Sequence, residues 1–318
     1  MSWRPTATLN ALQRRAAMLA AARGFFAGRG VLEVETPILS SAAVSDPQIE
    51  SLATRVAGMA ARSYLCTSPE YAMKRLLAAG SGDIYQICKV FRDAERGRWH
   101  NPEFTLIEWY RLGYDDAALM NEVEALVGCL LAPRRLEPAE RLSYSGALQR
   151  HAGVDAHGAS DGDLTESARR HGVVCDAELD RDAKLDLLMG LVVGPRLGLD
   201  RPCFICDYPA SQAALARLKP GLPPVAARFE LYLNGVELAN GFHELVNAGE
   251  QRARFTRELS VRRARGQEES PLDERLLAAL AAGMPDCAGV ALGFDRLVAI
   301  ALGAPQLADA MAFTIDNA

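Results

Sequence analysis

The sequence predicts an α+β fold, an antiparallel sheet flanked by helices, and three observations carry that prediction. Asn234-Gly235 stands between two apolar-rich runs. That is the strongest short-range hairpin signal, because a type I′ turn needs positive φ at both central residues. Residues 84–92 and 104–112 read as a second strand pair around a polar loop, 93–102. Helical patterns fall between such pairs instead of alternating singly with strands, which argues against a βαβ fold.

The elements follow in order. Residues 9–29 form a helix, with Leu12, Ala16, Leu19, Ala20 and Phe26 at three- and four-residue spacings and Gly30 at its end. Residues 31–35 alternate like a strand that Pro37 stops. A short strand at 63–67 leads to Ser68-Pro69, where serine caps a helix and proline is tolerated at its first position. That helix ends near Gly80. Residues 116–131 are helical. Residues 134–200, rich in alanine, arginine and aspartate, read as helices and loops without a motif. Residues 202–208 form a strand, 228–244 the Asn-Gly hairpin, and 250–265 and 272–282 two helices. Gly289–Gly293 is a short strand turning directly into a helix, 295–302. No repeat and no linker interrupts the chain, so one domain of 318 residues is expected.

Composition narrows the function classes. Thirty-five Lys and Arg against 40 Asp and Glu give a net charge of −5, with no basic block. The arginines of 252–265 share their helix with Glu258 and read as a solvated face, so tRNA or DNA is not the expected main partner. No run approaches 18 apolar residues, and Met-Ser-Trp-Arg-Pro lacks the apolar core of a signal peptide. Seven scattered cysteines fit a reducing cytoplasm. The Cys203-Phe-Ile-Cys206 pair has no second pair and lies in an apolar run, so it reads as buried thiols instead of a zinc or redox site.

Several familiar sites are missing: no G-x-x-x-x-G-K-[ST], no G-x-G-x-x-G, no H-E-x-x-H and no G-x-S-x-G. Any nucleotide phosphates must then be held by side chains and metal. In the hairpin, Tyr232 faces Glu237 and shares a strand face with Glu230, so the two acids are diagonal neighbours. Such a pair suits Mg²⁺ bridging to phosphates, or is simply two solvated acids on a hairpin edge. Arg92, ending one strand, and Arg296, opening the last helix, have the forked geometry that phosphate oxygens take; an ordinary salt bridge is the alternative for each. Phe104, Leu106, Glu108 and Tyr110 share one strand face, either as a stacking platform beside an amine-binding end or as half-buried core. Glu70, Glu108, Glu230, Glu237 and Glu244 have no obvious local Lys or Arg partner. Gathered in one cleft they would require cations from the ligand: Mg²⁺ and a substrate with more than one amine.

Phe91-Arg92, His100-Asn101-Pro102-Glu103-Phe104 and Glu108-Trp109-Tyr110 resemble motif 2 of class II aminoacyl-tRNA synthetases in its lysyl form. Gly289-Val-Ala-Leu-Gly-Phe-Asp-Arg296-Leu resembles motif 3. Residues 9–37 resemble motif 1, which in that family builds a homodimer interface. Glu237-Leu-Ala-Asn-Gly-Phe-His-Glu244 resembles the lysine- and metal-binding segment. The likeness runs nearly the whole chain. It starts within the first ten residues, leaving no room for an anticodon-binding domain, so tRNA is not the expected acceptor. Thr67-Ser68-Pro69-Glu70-Tyr71 and Ala291, a glycine in the synthetases, resemble a stand-alone branch that modifies elongation factor P.

The resemblance implies an ATP-dependent enzyme that activates (R)-β-lysine as an adenylate and passes it to a lysine side chain of elongation factor P. Arg92 would hold the α-phosphate and Arg296 the γ-phosphate. Phe104 would stack on adenine with Arg296 on its other side, and Asn101 and Leu238 would border the nucleotide. Glu230 and Glu237 would bind Mg²⁺. Glu70 would take the α- or β-amine, Glu108, Tyr110 and Glu244 the ε-amine, and Asn240 the carboxylate. Ser68 and Ala291 would line the amino-acid pocket, and Gly293 would let backbone lie close to ATP. Where the family often places a glutamate on the adenine, this chain has Ala94 between Asp93 and Glu95, so backbone or Glu95 would serve there. A minimal lysyl-tRNA synthetase and a non-catalytic synthetase-like module are the competing readings.

Overall fold

The computed structural model describes residues 3–176 and 178–318. By its internal packing the chain forms two units, Met1–Gly113 with Leu245–Ala318, and Tyr114–Glu244. In the first, α1 (Leu9–Ala27) starts where the Thr8 hydroxyl accepts the Ala11 N–H at 3.2 Å. The expected strand after it contracts to β1 (Leu32–Glu33). Then come β2 (Leu39–Ser40), β3 (Ala53–Thr54) and β4 (Ser63–Leu65), which make a small antiparallel sheet in the order β2-β4-β3. After α2 (Glu70–Ala78), β5 (Ile84–Phe91) and β6 (Glu103–Leu112) form the expected long hairpin, with Gln86 opposite Glu108 and Phe91 opposite Glu103. β1 joins β5 in parallel, which corrects the purely antiparallel expectation. The reason is the long crossover between them through β2–β4 and α2.

One face of this hairpin is apolar core. Phe26 of α1 stacks on Tyr85 at 4.3 Å between ring centroids and meets the edge of Trp109 at 5.4 Å. Strand parity therefore puts Phe104, Leu106, Glu108 and Tyr110 on the opposite face, as the alternation predicts.

The second unit opens with α3 (Asp116–Leu131), capped by the Asp115 carboxylate on the Ala118 N–H. The segment that carried no readable motif holds β7 (Glu140–Ser143), α4 (Tyr144–Ala152), α5 (Asp161–Arg170), α6 (Arg181–Leu188) and a five-residue π-helical turn, Met189–Val193. It supplies most of one core cluster, in which Tyr144, Leu148, Leu164, Leu188 and Val193 pack with Ile205 and Tyr232. β8 (Cys203–Pro209), β9 (Leu218–Lys219), β10 (Val225–Leu233) and β11 (Val236–His243) follow. Their order is β11-β10-β8-β7, with β9 also on β10 and β7 parallel to β8. The Asn-Gly turn is of the expected kind, with φ +54° at Asn234 and +72° at Gly235. Tyr232 faces Glu237 and Leu233 faces Val236 as expected, but a bulge at Leu238 then puts Asn240 opposite Glu230. All seven cysteines are free. Burial pushes the Cys203 thiol up to about 11 and that of Cys206 up to about 12, so the C-x-x-C pair is inert structure.

The chain returns to the first unit with α7 (Ala248–Ala264), α8 (Glu274–Gly283), β12 (Cys287–Gly293) and α9 (Phe294–Leu302). β12 completes the order β1-β5-β6-β12, setting Gly289 opposite Tyr110, Ala291 opposite Glu108 and Gly293 opposite Leu106. The strand-to-helix turn is pinned by Asp295, which accepts the Thr105 N–H at 2.6 Å and pairs with Arg15 of α1.

On α7, Arg252, Arg257 and Arg263 are exposed as the composition suggests, but Arg254 and Arg262 are buried. Arg262 is fully engaged: Nε donates to Glu268 O, Nη1 to Asp46 O and Ile49 O, and Nη2 to Glu50 Oε2 at 2.7 Å. Glu50 O in turn accepts the Asp93 N–H at 2.9 Å. Arg262→Ala strands these acceptors and should cost about 2 kcal/mol of stability or more, read as a lower midpoint in urea. On the same helix, Glu258 accepts from the Ser45 hydroxyl, and burial pushes its carboxyl up to about 7. The folded state holds that proton more tightly than the unfolded chain. This group's contribution to stability is therefore present in acid and is lost as pH rises through 7. Glu258→Gln should raise Tm at pH 8 and leave it nearly unchanged at pH 5.

Candidate active site

In the first unit, Glu108 is 2% exposed, and the Tyr110 hydroxyl donates to its Oε1 at 2.8 Å. Residues two apart on a strand share a face, so the sheet itself makes this contact. Gln86 flanks Glu108 on β5 and Ala291 on β12, which puts the methyl group of Ala291 beside the acid. Cys66 and Cys88 lie nearby. Burial first and Glu108 second push the Cys66 thiol up to about 11, and both raise that of Cys88 further.

Ser68 does the capping the sequence predicts, its Oγ accepting the Glu70 N–H at 3.2 Å, while Pro69 occupies the cap position itself. Glu70 does have a local cation, contrary to expectation. Lys74, 1% exposed, places Nζ 2.7 Å from Glu70 Oε1. The two sit one helical turn apart, which brings their side chains together.

The loop between β5 and β6 carries the residues expected at a nucleotide. Arg92 Nε donates to Thr67 O at 3.4 Å, and its guanidinium carbon lies 5.1 Å from the Phe104 ring centroid. Arg296 Nε donates to Trp99 O at 3.1 Å, and Nη2 lies 2.8 Å from His100 Nε2. Guanidinium only donates, so His100 Nε2 is the acceptor and its proton sits on Nδ1. Burial, then Arg296, then Arg92 lower the His100 pKa, and Glu95, 3.3 Å away, only partly offsets them. The ring is neutral between two arginines. Asp93 folds its carboxylate back on the Ala94 N–H, and Ala94 takes φ +60°. Asn101 spends both side-chain ends on backbone, donating to Glu103 O at 2.6 Å and accepting the Ile315 N–H at 3.0 Å. It holds the loop against the chain's C-terminal segment. Gly293 stands at the N-cap of α9, three residues before Arg296.

In the second unit, Glu230 is 7% exposed and has the local cation that was not expected. Arg228 Nη2 donates to Oε1 at 2.6 Å and the Tyr232 hydroxyl to Oε2 at 2.8 Å. Burial opposes the charge of Arg228, but Glu230 first, and then Tyr208 and Glu237, more than outweigh it, and its proton is held tightly. Glu237 faces Tyr232, and Leu238, 2% exposed, fills the bulge beside it. Asn240 Oδ1 is buried with no hydrogen-bond partner, directly opposite Glu230. Glu244 is 1% exposed, and its carbonyl accepts from Arg217.

This donor set fits a hard cation. Each oxygen of Glu230 accepts one hydrogen bond and keeps a second lone pair, and the orphaned Asn240 oxygen adds another hard acceptor. Among the described residues no three His, Cys, Asp or Glu side chains gather as a metal group.

Sequence reading assigned no role to Lys74, His100 or Arg228. Two of these were within reach: Lys74 follows Glu70 by four on a helix, and Arg228 precedes Glu230 by two on a strand. His100 had no signal beyond its motif. One consequence is directly measurable. Under native conditions at pH 8, Cys66 and Cys88 should resist iodoacetamide while exposed Cys129 labels, and Glu108→Gln should raise Cys66 labelling, read by peptide mass spectrometry.

The chain was compared with known proteins. The family model described as tRNA synthetases class II (D, K and N) matches residues 1–317. Proteins named elongation factor P–(R)-beta-lysine ligase from Salmonella dublin, Salmonella paratyphi B and Salmonella heidelberg are each 51% identical to it, over 100% of this chain and 98% of their own length. Matches that span both units and every motif above place the chain in one family: it belongs to the class II tRNA synthetases.

Proposed function

We propose that this protein is an ATP-dependent ligase that activates (R)-β-lysine and transfers it to a lysine side chain of elongation factor P. The observation that carries the reading is the buried Glu108–Tyr110 pair beside Ala291. An acid and a phenol in a closed apolar setting are an ammonium site, and the added methyl group trims the pocket where the synthetases have glycine. A methyl group alters selection by ~1–3 kcal/mol, enough to shift preference between related diamines. The relatives named for this activity align along nearly their whole length. The match across residues 1–317 supports one catalytic domain.

In the first step a carboxylate oxygen of the amino acid attacks the α-phosphorus of ATP, the bond to the β-phosphate oxygen breaks, and pyrophosphate leaves. Catalysis is mainly positioning and charge stabilisation. Arg92 binds the α-phosphate and Arg296 the γ-phosphate. Neutral His100 orients the Arg296 fork without adding a third cation. Phe104 stacks on adenine, while Asp93, Glu95, Asn101, Leu238 and Gly293 border the nucleotide. Glu230 and Glu237 would hold Mg²⁺, which when bound neutralises phosphate charge. Glu70, with Ser68 behind it, takes the nearer amine, Glu108, Tyr110 and Glu244 take the ε-amine, and Asn240 takes the carboxylate. In the second step the neutral amine of an acceptor lysine attacks the acyl carbon, AMP leaves with the bonding electrons, and the amine loses a proton to solvent.

Glu237→Gln should lower the rate of diamine-dependent ATP–pyrophosphate exchange by roughly 100-fold or more while shifting Tm little. Unchanged exchange would remove Glu237 from the metal site. The reading also includes a homodimer through residues 9–37. Leu9 and Leu32 on this segment are exposed, and Ile38 and Leu39 beyond it extend the apolar surface. Light scattering at micromolar concentration should return twice the 34.3 kDa chain mass; a monomer contradicts it.

A further inference from the structure

Arg228 is held at three points. Besides its 2.6 Å bond to Glu230, Nη1 donates to Gln212 O at 2.9 Å, and its guanidinium carbon lies 4.3 Å from the Tyr208 ring centroid. Tyr232, which holds the other Glu230 oxygen, is fixed as well. The Asn234 and Gly235 N–H groups donate to Gly198 O and Leu197 O at 2.7 and 2.8 Å. The backbone of Gly198 comes so close that a Cβ there would stand 2.5 Å from Tyr232 O. The Glu230 carboxylate therefore cannot swing, and a permanent positive charge touches it. With Glu230 and Glu237 ionised, the pair and Arg228 together carry a single net negative charge.

Building on the metal assignment above, we propose that Arg228 is a positioning residue that makes the Glu230–Glu237 pair take a divalent cation together with nucleotide phosphates and not alone. Two carboxylates without a fixed counter-charge attract a free divalent ion. A guanidinium bonded to one of them repels it, and in a buried site that repulsion is only weakly screened. Phosphate oxygens restore the missing negative charge. The fork of Arg228 and the Tyr232 hydroxyl meanwhile keep the remaining Glu230 lone pairs aimed, so that no side chain must reorganise when the metal–nucleotide complex arrives.

The test uses Mn²⁺ as probe. Titration of nucleotide-free protein, followed by the electron paramagnetic resonance signal of aqueous Mn²⁺, gives the affinity for metal alone. Equilibrium dialysis of labelled α,β-methylene-ATP at saturating Mn²⁺ gives the affinity for the complex. Wild type should bind Mn²⁺ alone only in the millimolar range. Arg228→Gln should bind it about tenfold tighter or more and bind the Mn²⁺–nucleotide complex more weakly. Arg228→Lys keeps the charge, so it should bind metal alone as wild type does. Micromolar Mn²⁺ binding by wild type without nucleotide, unchanged binding by folded Arg228→Gln, or tightened binding by Arg228→Lys would each overturn the proposal. If Arg228→Gln fails to fold, the wild-type and Arg228→Lys titrations still decide. Should Glu237→Gln leave Mn²⁺-dependent nucleotide binding intact, the metal assignment itself fails, which is a separate result.

Discussion

A carboxylate buried against a sheet must be given a donor, and the architecture of this protein follows from meeting that demand several times over. An unpartnered buried acid would cost several kcal/mol or take up a proton. Glu70 is answered by Lys74, Glu108 by Tyr110, and Glu230 by Arg228 and Tyr232. Each partner sits two residues away on a strand or four on a helix, so secondary structure delivers it without long-range assembly. A bonded carboxylate oxygen keeps a second lone pair for a ligand ammonium or cation. The same pairs that make burial tolerable therefore orient the acids for binding.

A second layer steadies these pairs. In the first unit the β5–β6 hairpin carries aromatic core on one face and acids on the other, and β12 brings Ala291 to Glu108. Arg262 ties residues 46–50 to α7, and Glu50 ties that segment to Asp93, next to Arg92. In the second unit, the stretch from the π-helical turn to Gly198 lies against the Asn-Gly turn and steadies Tyr232. Side chains far from any substrate thus set the geometry of those that would touch it.

Much of this was legible in the chain. Local signals held where chemistry is local: the positive φ demanded by Asn234-Gly235, the alternation of Phe104 to Tyr110, and the run of Gly289–Gly293 into a helix. Signals that depend on tertiary context did not. The parallel pairing of β1 with β5 and the strand β7 are fixed by what they pack against, not by their own few residues. Arg254 and Arg262 look like any surface arginine until their acceptors are in place. The candidate acids stand out by residue type and by motif. The partners Lys74 and Arg228 lie at the helix and strand periods, four residues after Glu70 and two before Glu230. The bulge at Leu238, which decides that Asn240 faces Glu230, had no sequence signal of its own.

A substrate with two amines and a protein acceptor are what set the proposed reaction apart. The most direct test supplies labelled (R)-β-lysine, ATP and Mg²⁺ to the enzyme with purified elongation factor P or with bulk tRNA, in parallel. The account predicts label on the protein and none on tRNA. Label on tRNA would contradict it and make the chain a minimal synthetase, and label on neither, without pyrophosphate exchange across a panel of diamines, would make it a binding module.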